Sequence, residues 1–195
     1  KNMTRSGRNG PLVVGFVDSW PSNVAAHRLA MLLGLRDMVP VSIERRWNGR
    51  RGALTWWVDD VLMDEQRRKQ DGIEPPDALE WMRQQLRMRV FTQLVYDTDR
   101  NQGNTLITND WRLIMIDFTR AFRPWKKPVD PLTTLPRCDR ALLAAMRGLT
   151  KESVRAATDK YLSVFEVEGL LARRDILVAH VEALVARRGE QSVLY

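Results

Sequence analysis

Tyr96-Asp97-Thr98-Asp99-Arg100-Asn101-Gln102-Gly103-Asn104, followed by Ile114-Met115-Ile116-Asp117-Phe118, is the stretch on which the reading of this chain turns. Before it, Leu79, Met82, Leu86, Val90 and Leu94 form a near i, i+4 stripe that predicts a helix over 78–96. After the polar loop 97–104 come two short apolar runs, Thr105-Leu106-Ile107 and Leu113-Ile114-Met115-Ile116. Asn109-Asp110 between them predicts a hairpin. Asp99 and Asn104 are five residues apart in the loop, and Asp117 lies thirteen beyond Asn104, at the end of the second strand. Loop and hairpin end can therefore meet at one point. Two carboxylates and an amide suit phosphoryl transfer, in which one carboxylate contacts the attacking hydroxyl while an amide oxygen and a second carboxylate hold magnesium against phosphates.

Upstream, residues 1–20 read as a loop with at most one strand, at Leu12-Val13-Val14. A helix is expected at about 22–34, started by Pro21 and Ser22 and stopped by Gly34. Strands are expected at about 38–43 and 53–58, joined through Trp47-Asn48-Gly49, because Asn-Gly is a strong hairpin signal. The stretch 59–77 is polar, broken by Gly72, Pro75 and Pro76, and reads as a linker or a loop with a short helix. Downstream, a Pro-rich loop precedes helices at about 139–148, 151–162 and 167–188. The fold class is α+β: a small part with short antiparallel strands and one helix (residues 1–60), then a larger, mostly helical part (61–195).

Composition narrows the partners. The 195 residues carry 31 Lys plus Arg against 24 Asp plus Glu, a net charge of +7. The basic residues are dispersed as short pairs (Arg45-Arg46, Arg67-Arg68-Lys69, Arg173-Arg174), read as solvated surface, so a nucleic-acid binder is the weakest of three functional readings. The single cysteine, Cys138, excludes an intramolecular disulfide, and with His27 and His180 it leaves little room for a zinc site. No apolar run approaches a membrane span, and no signal-peptide layout occurs in the first thirty residues, so a cytoplasmic protein is expected. The chain opens on Lys1 rather than Met, as a fragment or processed form would.

The spacing and wording of Asp99-Arg100-Asn101-Gln102-Gly103-Asn104 with Ile116-Asp117-Phe118 resemble the catalytic loop and metal-binding Asp of protein-kinase-like folds. They are closer to the phosphatidylinositol 3-/4-kinase branch and its bacterial relatives, HipA-type kinases included. That branch carries Asp-Arg-His-x-x-Asn and then Ile-Asp-Phe or Ile-Asp-His; here Asn101 stands at the His position. Val24-Ala25-Ala26-His27-Arg28-Leu29 through Leu33-Gly34-Leu35 and Met38-Val39-Pro40-Val41 resembles a bacterial segment of the same group. Gly52 to Val58 resembles the strand running into the hinge between two lobes.

The resemblance implies a bilobal kinase-like fold with a partial first lobe, ATP and Mg²⁺ as cofactors, and an unknown phosphoacceptor. Asp99 would be the catalytic carboxylate, and Asn104 and Asp117 the metal ligands. Adenine would sit under a hinge near Trp57, Val58 and Asp59. Lys1, the only Lys before Lys69, would be the phosphate-binding lysine. Its partner Glu is expected where Asn23 stands, and an amide cannot form that charged pair. The glycine-rich phosphate loop would precede residue 1. Asn23 therefore keeps a second reading open, a nucleotide-binding pseudokinase.

Several residues carry a plainer reading beside the functional one. Arg100 either orients the loop through a carboxylate or is solvated. Asp97 is either a supporting acid or an ordinary loop carboxylate. Trp56 and Trp57 either line a nucleotide pocket or, as paired strand aromatics more often do, join the core. His27, His180 and Cys138 read as structural.

Overall fold

A computed structural model describes residues 18–195, an α+β arrangement of small antiparallel sheets and helices. Helix α1 (Trp20–Leu32) starts on Pro21 and buries small residues, Ala25, Ala26 and Ala30, beside Val24 and Leu29. It stops at Gly34, whose φ of +72° suits a residue without Cβ. There the Leu35 N–H bonds to the Ala30 carbonyl (2.8 Å) and the Gly34 N–H to that of Met31.

Strands β1 (Ser42–Trp47) and β2 (Arg50–Thr55) pair antiparallel around Asn48-Gly49, both at positive φ, the geometry of a two-residue hairpin turn. The hairpin lies closer to its turn than the apolar pattern suggested and takes in Arg45, Arg46, Arg50 and Arg51. Met38 and Val39, expected in the first strand, are buried in the core instead, and the Met38 carbonyl accepts from the Met115 N–H (2.8 Å).

Residues 61–77 hold more structure than a linker. Strand β3 (Val61–Asp64) leads into α2 (Glu65–Gln70), capped by the Asp64 carboxylate on the Arg67 N–H. Arg68, expected on the surface, is buried: it pairs with Glu65 (2.6 Å), donates to the Ile73 carbonyl and lies over the Trp81 ring.

Helix α3 (Ala78–Val95) starts at Asp77, whose side chain accepts from the Leu79 and Glu80 N–H groups. Strands β4 (Thr105–Thr108) and β5 (Leu113–Met115) complete a sheet of order β3-β4-β5. Gln84 of α3 pins that sheet, donating to the Trp111 carbonyl and accepting from the Leu113 N–H (2.8 Å). Ile107, Leu113 and Met115 face the core with Phe91, Phe118 and Phe122; the first two of these rings meet edge to face at 5.7 Å.

The base is helical. Helices α4 (Arg140–Gly148), α5 (Lys151–Thr158), α6 (Val164–Arg188) and α7 (Glu190–Val193) follow the Pro-rich loop. Thr150 with Ser153, and Ser163 with Glu166, form capping boxes that start α5 and α6. On one face of α6, Gly169 and Arg173 receive the chain at residues 123–125. A Cβ on Gly169 would lie 2.8 Å from the Pro124 backbone, so only glycine permits this approach. Arg173, expected as solvated surface, is fully buried and donates to the carbonyls of Leu94, Arg123 and Trp125. Among the described residues no helix is long and apolar enough to cross a membrane.

Candidate active site

The site is built where α3 ends. Tyr96, in the left-handed region at φ +54°, breaks the helix under the Arg173 guanidinium, 5.4 Å from its ring. The turn delivers Asp97 to a fully buried position. A buried carboxylate is costly unless paired. Asp97 pairs with Arg100 (2.6 Å to Nη2, 3.0 Å to Nε) and accepts from the Asp99 N–H. Arg100 is therefore no solvated residue. Its Nη1 donates to the carbonyls of Asn104 (2.6 Å) and Ile116 (2.7 Å), and its guanidinium lies 4.5 Å from the centre of the Phe118 ring. One buried ion pair thus fastens the loop to the end of β5. Burial pushes the Arg173 guanidinium behind it down to about 10, so it still carries its charge at neutral pH.

The motif residues fall around this pair. The Asn104 carbonyl accepts from the Ile116 N–H (3.0 Å), which sets Asn104 beside the turn carrying Asp117. Asn104 Nδ2 donates to the Asp99 carbonyl (3.1 Å). That carbonyl can only accept, so it fixes the amide and leaves Asn104 Oδ1 without a hydrogen bond among the described residues. Asn101 Oδ1 accepts from the Asn104 N–H, closing a one-turn 3-10 helix, and Asn101 Nδ2 donates to Asp99 Oδ1 (3.1 Å). Asn101 therefore holds both the loop and the Asp99 carboxylate.

Asp117 is exposed and stands at φ +54°. Its Oδ1 takes the Thr119 N–H and hydroxyl (2.7 Å to the latter), while Oδ2 has no hydrogen bond among the described residues. Next to it, the Phe118 N–H donates to Asn23 Oδ1 (2.8 Å), so α1 touches the Asp117 turn directly.

Arg120 is a site residue that sequence reading missed. It donates to Asp18 (2.9 Å) and pairs with Asp99 (3.4 Å). The Asp18 hydrogen bond, with added attraction from Asp99 and Asp117, holds its guanidinium above the ordinary value. No spacing rule announces this arginine; the only signal was its place three residues after Asp117.

The donor set fits a hard divalent cation brought in with a phosphate ligand. No group of three or more His, Cys, Asp or Glu among the described residues makes a metal cage. Asn104 Oδ1 and Asp117 Oδ2 are two uncommitted oxygens, the kind of pair that completes Mg²⁺ or Mn²⁺ coordination together with water and phosphate oxygens. Asp18, Asp99 and Asp117 around Arg120 also leave two negative charges in excess among the described residues.

The other expected residues are more scattered. Trp56 and Trp57 are not core: they are 70% and 80% exposed, in the segment between β2 and β3 with half-buried Val58 and exposed Asp59. They escape burial because β2 ends at Thr55 and no described element covers that segment. Lys1 lies outside the described residues. His180 bonds through Nε2 to the Leu135 carbonyl, burial lowers the pKa of His27, and Cys138 is a buried free thiol; none of the three shares a hydrogen bond with Asp99, Asn104 or Asp117 among the described residues.

The α+β architecture, with a long helix leading into an Asp-to-Asn loop and a hairpin ending in Asp117, is a kinase-like fold. Solved structures that it matches are those of hydra Fam20 with sugar and of the Golgi casein kinase. For the hydra protein the TM-score is 0.66 at 13% identity, over 96% of this chain and 77% of that one. For the Golgi casein kinase it is 0.72 at 12% identity, over 98% and 68%. The same kinase with Mn/ADP bound gives 0.67 at 13%, again over 98% and 68%. At these identities the likeness is one of fold. No protein-family model and no curated protein matches the chain.

Proposed function

We propose that this chain is an ATP- and Mg²⁺-dependent phosphotransferase with an alcohol acceptor. The observation that carries it is the Arg100 bridge between the Asn104 and Ile116 carbonyls, which brings the two motif segments together with one unused oxygen on each of Asn104 and Asp117. A bound Mg²⁺ would supply charge neutralisation for the β/γ phosphates, held through those two oxygens. Asp99, fixed by Asn101 and Arg120, accepts the acceptor hydroxyl and sets its line of attack. Arg120 adds positive charge where the transferred group gains negative charge. Trp57, Val58 and Asp59 border the adenine position in this reading, and Lys1 serves the phosphates. The division into a partial first lobe (1–60) and a larger second lobe (61–195) belongs to the same reading, as does a cytoplasmic location, which agrees with the unpaired Cys138. The phosphatidylinositol 3-/4-kinase and HipA branch rests on motif wording, since the neighbours above are Fam20 and Golgi kinases. The test is phosphate transfer or ATP hydrolysis by the full-length protein and its Asp117→Ala variant. Turnover in the wild type falling at least about a hundredfold in the variant is expected; equal background in both overturns the reading.

Asn23 favours a second reading, a nucleotide-binding pseudokinase. Its side chain serves as a neutral acceptor for Phe118 rather than as the charged partner of a lysine. A Mg²⁺-dependent thermal shift with ATP but no turnover would select it.

A further inference from the structure

A second cleft lies away from the motif residues, between α1 and α5. It has a volume of about 430 Å³ and is lined by Arg28, Arg155, Ala156, Asp159 and Lys160. Three cations thus face one acid. Arg28 is set in place on both sides: Nη1 donates to the Ala157 carbonyl (3.0 Å), and its guanidinium lies over the Tyr161 ring at 4.9 Å. No carboxylate pairs with it among the described residues. Arg155 makes only an exposed contact with Asp159, at 3.5 Å. Lys160 has no ion-pair partner there; Glu44, the acid whose charge it feels, is already bound by Arg51. A pre-oriented guanidinium with two further cations at one opening attracts a compact dianion, and guanidinium geometry matches two oxygens of a phosphoryl group.

We propose that the α1–α5 cleft is a binding site for a phosphoryl group, separate from the Asp99–Asp117 site. The source is either free phosphate or a phosphorylated small molecule whose body rests on Ala156. A ligand here bridges α5 to α1, the helix whose Asn23 holds the Phe118 N–H, so occupancy steadies the Asp117 turn from behind.

The experiment is calorimetric titration of the full-length protein with inorganic phosphate and, separately, with O-phosphoserine. Variants are Arg155→Gln, Lys160→Gln and their double, all at exposed positions, with Asp117→Asn as the control for binding at the other site. Saturable binding is expected in the wild type and in Asp117→Asn, weakened about tenfold by each single change and lost in the double. Tighter binding of O-phosphoserine assigns the body to the cleft; equal or weaker binding assigns free phosphate. Arg28→Lys, which keeps the charge but not the fork, weakens binding as well. Absence of saturable binding by either probe, binding that survives the double variant, or binding that disappears in Asp117→Asn overturns the proposal. Matching unfolding midpoints across the variants show that the fold is unchanged.

Discussion

Among the described residues there are two hairpins, and they are held by different forces. In β4–β5 nearly every residue is buried: β4 pairs on its other side with β3, β5 donates its Leu113 N–H to Gln84, and both pack against the three phenylalanines. In β1–β2 only Ser42 is buried, and Trp47 is 74% exposed. That hairpin owes its register to the Asn48-Gly49 turn and to side-chain pairs such as Ser42 with Thr55 and Glu44 with Arg51. The difference shows where precision is needed. Asn104 and Asp117 sit together at the open end of the buried ladder, opposite its turn, whereas nothing in the motif depends on the tip of the exposed one.

Changes that separate the two regions test this contrast. Arg100→Ala strands the Asp97 carboxylate in the core and is expected to cost about 3–5 kcal/mol in urea unfolding. Its exposed counterpart, Arg51→Ala, should leave the midpoint nearly unmoved. A comparable loss from both would mean that the exposed hairpin is as integral as the loop. Leu113→Ala removes a fully buried side chain of β5 and should cost about 3 kcal/mol. Leu54→Ala, at a position 59% exposed on β2, should change stability by no more than about 0.5 kcal/mol. Gly49→Ala, at φ +75°, should destabilise by about 1 kcal/mol through backbone strain alone while any turnover persists.

The smallest effect concerns pH. Burial, with a contribution from Asp139, pushes the Cys138 thiol up to about 12 from its ordinary 9.0. Between those values the unfolded chain releases its thiol proton and the folded chain keeps it, so this group's contribution to stability declines as pH rises through that window. At pH 8 native Cys138 should resist thiol reagents that label the urea-unfolded chain readily. Rapid native labelling would place Cys138 outside the core.

The helix before the loop, the second hairpin and the α+β class were legible because each rests on a local pattern: a four-residue stripe, two apolar runs, and turn residues between them. The meeting of Asp99, Asn104 and Asp117 in one locality was legible through spacing and wording. Strand β3 was not, because Val61–Asp64 is short and becomes a strand only by pairing with β4. The start of α6 was missed although Ser163 and Glu166 form a capping box, since the apolar stripe drew attention to Val167. Arg68, Arg100 and Arg173 share one difficulty. Whether an arginine is buried depends on what the fold packs against it: the Trp81 ring for Arg68, the Phe118 ring for Arg100, and for Arg173 the Leu94 carbonyl, 79 residues away. The exposed tryptophans fail in the opposite direction, because aromatic content alone does not say whether another element will cover it.

Arg120 has a consequence for how the site fills. It stands among Asp18, Asp99 and Asp117 as a built-in counter-ion, so the acids do not have to wait for a metal in order to coexist. In the proposed reading a cation held by Asn104 and Asp117 would share the negative charge that Arg120 now balances, leaving its guanidinium available to a phosphate. A chelator should leave the unfolding midpoint unchanged, and added Mg²⁺ alone should stabilise the protein far less than Mg²⁺ and nucleotide together.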